Sequence, residues 1–107
     1  MSFDIDGTIK DMGNAAAAVL AGEAPKIRVC LDKALEDEKE ALQMIADARL
    51  VGDITAAEMK EQIADEREAL KVALLACKVK GKVAAQKAAN AALKVLEKAV
   101  RTALKAV

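Results

Sequence analysis

Between Thr55 and Val107 the chain consists of helix-favouring residues, with no proline and with Gly81 as its only glycine. A capping box, Thr55-Ala56-Ala57-Glu58, opens this tract. The threonine hydroxyl of such a box accepts from the third N–H of the new helix, and the glutamate reaches back to the N–H of the cap. One unbroken helix over the tract would be about 80 Å long at about 1.5 Å per residue. No core that a chain of 107 residues can build is that long. The tract must therefore break, with Gly81 the place for it, or lie against a second chain.

The residues before it read as two further helices. The first is expected over about 5–21, weakened in its middle by Gly13 and ended by Gly22. Pro25 suits the first turn of the second, over 25–51, where its missing N–H costs nothing. Ile27, Leu31, Ala34, Leu35, Leu42 and Ile45 recur there at three- and four-residue spacing, and Gly52-Asp53 closes the segment. In the third helix, 55–107, Met59, Ile63, Leu70, Leu74 and Cys77 share a face. A short connection between two long helices makes an antiparallel pair. With the turn centred on Gly52-Asp53, residue i lies across from roughly residue 106 − i, which places Cys30 near Cys77 and Glu38 near Arg67. The first pair reads as two small packed thiols, close but unbonded, because helix axes stand about 8–10 Å apart. The second reads as an ion pair that fixes register.

Charge is segregated although it totals zero, with 17 bases and 17 acids. Residues 32–68 hold twelve acids and five bases, whereas 71–107 hold nine bases and one acid, Glu97. Alanine makes up close to a quarter of the chain and Phe3 is the only aromatic. Such a composition favours helix but offers little apolar area to bury, which makes a weak core for a lone monomer. No run approaches the roughly eighteen apolar residues of a membrane span. Asp4, Asp6 and Asp11 stand where a secretory leader would be basic. Two cysteines without CxxC or zinc spacing fit a reducing, cytoplasmic setting.

Three patterns invite a chemical reading. The segment Phe3-Asp4-Ile5-Asp6-Gly7-Thr8-Ile9 resembles the first motif of haloacid-dehalogenase-type phosphatases, D-x-D-G-T after an apolar strand. The resemblance implies Asp4 as nucleophile and Asp6 as general acid/base, with Mg²⁺ between them. It covers seven residues, and nothing downstream reads as the strands that such a fold needs. Asp6 or Thr8 as a helix N-cap accounts for the same letters. Asp47 to Glu58 matches an EF-hand loop at several positions, but Arg49 and Val51 occupy two ligand positions where oxygen is required. Glu36, Glu40, Glu61 and Asp65 have the spacing of an ordinary solvated helix face. With no histidine, the Ser-His-Asp, Cys-His and di-iron Glu-x-x-His systems are excluded. No metal, cofactor or small-molecule substrate is expected, and no enzyme.

The fold expected is therefore all-α, one domain over 1–107: a short N-terminal helix and a long antiparallel hairpin whose second arm overshoots the first. The overshoot should complete a helical bundle by homo-oligomerisation, with a dimer the simplest closed form. The expected function is that of a non-catalytic structural or adaptor protein acting through helix–helix self-association. The expected interaction surface joins Lys78, Lys80, Lys82 and Lys87 to Leu93, Leu96, Val100 and Leu104. The alternative is a binding module that lays its basic C-terminal amphipathic helix on nucleic acid or an anionic membrane surface.

Overall fold

A computed structural model describes residues 3–106. They are all-helical: α1 (Ile5–Leu20), a single 3₁₀ turn (Ala21–Glu23), α2 (Ala24–Leu50), α3 (Ala56–Ala76) and α4 (Lys82–Lys105). Each helix is stacked on its neighbours in a bundle of 39 × 22 × 19 Å. A helix of 24 residues spans about 36 Å, so α4 runs the full length of the molecule. Around the bundle α1 lies beside α2 and α4, and α3 lies beside α2 and α4. Of the two diagonals, α2 and α4 touch while α1 and α3 do not.

The tract from Thr55 onward does break. Helix α3 stops at Cys77, and Lys78 takes the left-handed conformation with φ of 70°. The N–H of Val79 donates to the Leu74 carbonyl at 3.1 Å, and that of Lys78 to Leu75 at 3.0 Å. This pair of bonds is a Schellman stop, completed by the burial of Val79 next to Leu74. Gly81, with φ of 88°, turns the chain into α4. The Lys80 N–H donates to Glu23 Oε1 at 2.9 Å and ties this turn to the 3₁₀ segment. Helix α2 ends in the same way: Gly52 has φ of 85°, and the Asp53 N–H donates to Ala48 at 2.8 Å.

The return of α4 corrects the expectation of an overshooting arm. Ala85, Ala88, Ala89, Ala92, Leu93, Leu96 and Val100 are all fully buried within the one chain. They join a single cluster with Met12, Ala16, Leu31, Leu35, Leu42, Ile63, Leu70 and Leu74. The most extensive helix contact is that of α4 with α1. Small side chains at Ala16 and along the alanine face let these two helices approach closely, while Gly13 makes room for Arg28, Asp32 and Leu35 of α2. The reason given for self-association, an apolar rod that its own molecule could not cover, is thereby removed.

Local details also differ. The cap of α1 is Asp4, whose Oδ1 accepts from the Gly7 N–H at 3.1 Å, rather than Asp6 or Thr8. Thr8 instead turns inward and donates its hydroxyl to the Asp4 carbonyl at 2.8 Å. The capping box at Thr55 forms as its letters require. Cys30 and Cys77 are bonded to one another, with Cα atoms 5.8 Å apart, rather than lying side by side as thiols. Cys77 sits in the last turn of α3, where the backbone is already leaving the helical path. The ordinary separation of helix axes therefore does not govern the distance. The bond also removes the cysteine argument for a reducing compartment.

Two outcomes follow for stability. The disulfide closes a loop across a sequence separation of 47, which the chain-entropy relation values at about 4 kcal/mol. Urea unfolding of the Cys30→Ala/Cys77→Ala variant should show a loss of about 3–4 kcal/mol; an unchanged midpoint would mean the bond is not formed. Lys78→Gly relieves a left-handed position of its side-chain strain, worth about 1 kcal/mol at most. Its melting temperature should rise slightly, whereas Lys78→Val should lower it.

Candidate functional site

The residues expected to form one interaction surface are divided by the fold. Lys78, Lys80, Lys82 and Lys87 are exposed, but Leu93, Leu96 and Val100 face the opposite way into the core, and Leu104 lies at its edge. What remains outside on α4 is mainly charge, with Val83 near its start and Thr102 near its end. Lys87, Lys94, Lys98, Arg101 and Lys105 are all exposed. Their spacings of seven, four, three and four residues place them on one side of a helix. They form a row about 27 Å long. Over its length α4 has six bases and one acid, Glu97, which is largely buried and faces Arg67 of α3 at 3.9 Å. None of the five cations in the row has an ion-pair partner among the described residues. Exposed acids stand on α2, at Asp32, Glu36, Asp37 and Glu40, and equally on α3 beside α4, at Glu58, Glu61, Asp65 and Glu68. The periodicity of Lys94, Lys98, Arg101 and Lys105 was available in the sequence; their separation from the leucines was not, because it required knowing that α4 folds back.

The register pair is also corrected. Arg67 is directed to Glu97, not to Glu38. Glu38 meets Glu66 instead. Both occupy the middle of the α2–α3 seam, between Leu35 and Leu42 on one helix and Ile63 and Leu70 on the other. Glu38 is half-buried, and its Oε2 has neither solvent contact nor a hydrogen-bond partner among the described residues. Desolvation pushes its carboxyl up from 4.5 to about 7, with the Glu66 and Asp37 carboxylates adding to the effect. Glu66 is raised as well, by desolvation first and then by Asp65. Two carboxylates brought together in a seam disfavour both being charged at once, so Glu38 keeps its proton to higher pH.

Asp4 and Asp6, the positions of the phosphatase-like motif, lie at the start of a helix. Asp4 serves as its cap and Asp6 pairs with Lys39 of α2. Among the described residues no group of three or more His, Cys, Asp or Glu side chains is arranged to hold a metal ion. No helix of the described residues is long and apolar enough to cross a membrane. No protein-family model matches the chain, and searches of curated proteins and of solved structures likewise found no match. The functional reading therefore rests on the surface and cavities of this molecule.

The carboxylate pair makes stability depend on pH in a defined direction. In the folded chain Glu38 holds its proton up to about 7, whereas in the unfolded chain it releases it near 4.5. The folded state thus binds the extra proton between these values, and stability falls as pH rises through them. A shift of this size on a fully buried group would correspond to about 3 kcal/mol. Glu38 keeps partial contact with water, so the expected loss is about 1–2 kcal/mol. Urea melts at pH 5 and pH 8 should show it, and Glu38→Gln should abolish most of the difference. A wild type equally stable at both values would contradict the assignment.

Proposed function

We propose that this protein is a non-catalytic binding module whose basic α4 face docks on the phosphate backbone of nucleic acid without reading its sequence. The observation that carries the reading is the unpaired row of Lys87, Lys94, Lys98, Arg101 and Lys105, on a helix whose apolar side is already spent on the core. Double-stranded DNA presents one charge per about 1.7 Å of axis, and lysine side chains neutralise such an array with release of counterions. Arginine forks and aromatic platforms are the usual means of reading bases. The row contains one arginine and no aromatic residue, which supports backbone contact alone. An amphipathic helix that binds a bilayer must insert its apolar face. In α4 that face is taken up by α1 and α3, which favours nucleic acid over membrane.

Self-association through α4 would require the helix to leave its own bundle, with loss of contacts at Leu93, Leu96 and Val100. We accordingly place the partner surface on the outside of α4. The exposed acids of α2 and α3 then discourage docking through those helices.

Fluorescence anisotropy with two unrelated duplexes tests the reading. Both should bind with similar affinity at low salt, and the logarithm of the affinity should fall against the logarithm of salt with a slope of about −4 for five contacts. Lys94→Gln/Lys98→Gln/Lys105→Gln should weaken binding at least about tenfold, with the melting temperature unchanged. Absence of binding to either duplex at low salt would overturn the proposal, as would binding confined to vesicles of anionic lipid.

A further inference from the structure

At the end of the bundle that holds the α2–α3 turn, Arg49, Lys60 and Arg101 converge from three helices on one cavity of about 340 Å³. Its apolar wall is Ala56, Met59 and Leu104. Arg49 is the unusual member. It stands one heptad after Leu42 and two after Leu35, both fully buried, and so lies on the core-facing line of α2. Its Nε is out of reach of solvent and has no hydrogen-bond partner. No acid of the described residues lies within ion-pair distance of its guanidinium. Arg49 as a whole is partly buried, and a guanidinium N–H shut off from water without an acceptor is costly until one is supplied. The one acid lining the cavity, Glu97, is drawn toward Arg67. Ala56 is the first residue of α3, so the positive end of that helix dipole adds to the same field.

We propose that this cavity binds a small organic anion, a carboxylate or phosphate monoester carrying a short apolar chain. The head group would take a forked pair of hydrogen bonds from Arg49, with Lys60 and Arg101 closing over it. The chain would lie on Met59 and Leu104. The volume lies at the lower end of that of small-molecule sites, about 300–1,000 Å³, which suits a small ligand. The site shares Arg101 with the outer row of α4, but Arg49 and Lys60 belong to it alone and distinguish it from the nucleic-acid reading.

Calorimetric titration of the whole protein with hexanoate, hexyl phosphate and inorganic phosphate tests it. Hexanoate or hexyl phosphate should bind saturably below about 10 mM, and inorganic phosphate, lacking the chain, at least about tenfold more weakly. Arg49→Gln should weaken binding at least about tenfold. The exposed Arg101→Gln serves the same purpose, with a smaller loss, should the first variant unfold. Glu97→Gln removes the competing acid and should tighten binding. Lys94→Gln/Lys98→Gln/Lys105→Gln should leave it unchanged, which separates this site from the duplex-binding face. No saturable binding of either chain-bearing anion would overturn the proposal, as would equal binding by a folded Arg49→Gln variant.

Discussion

The contact between α1 and the alanine face of α4 closes the bundle, and the positions of the other groups depend on it. Alanine buries little area, so a face of Ala85, Ala88, Ala89 and Ala92 contributes through proximity rather than size. Placed against α1 at Ala16, it lets two backbones come together and brings Leu93, Leu96 and Val100 over the centre of the molecule. Dispersion forces fall off within fractions of an ångström, which makes close approach the means by which a core without aromatic residues becomes dense. The consequence for α4 is that its two sides have separate roles. One is used within the chain, and the other is left mainly with lysine and arginine.

Much of the architecture was legible in the letters. The caps at Thr55 and Gly52, the proline near the start of α2 and the three- and four-residue periods all depend on neighbours within a turn or two. The stop after Cys77 was not legible. It uses Lys78 in a conformation that glycine ordinarily supplies, and the hydrogen bonds from Lys78 and Val79 are repaid by the burial of Val79 in the assembled core. Gly81 alone marked the region. The register across α2 and α3 was read one residue out at the middle of the seam, with large effect. One residue along a helix turns a side chain by about 100°, which exchanged Arg67 for Glu66 as the neighbour of Glu38 and a salt bridge for a pair of like charges. Arg49 was visible as a cation on an apolar stripe, but its unpaired state is a property of three helices together.

Charge segregation along the sequence became segregation between helices, with the bases on α4 and the exposed acids on α2 and α3. Had α4 continued from α3, its bases would have extended beyond the acids of α2 as a separate arm. Because α4 returns, the basic row lies in one bundle with the exposed acids of α2 and α3. Such a molecule has an orientation in the field of a polyanion even though its formal charge is zero. Net charge alone would have missed this property.

The α2–α3 seam shows how such a bundle tolerates a poor layer. Glu38 and Glu66 occupy positions where leucine would bury more area, and they withhold a proton from solution instead of forming an ion pair. At one end of the seam the two helices are joined by the turn through Gly52; at the other, 47 residues apart in sequence, by the Cys30–Cys77 bond. Repulsion between the carboxylates therefore acts on a pair of helices held at both extremities. Leu35, Leu42, Ile63 and Leu70 flank the pair within the seam, so separation on ionisation is confined to about two turns at the middle. A covalent link at the open end thus complements a polar layer at the centre, because it removes the way in which that layer would otherwise open the hairpin.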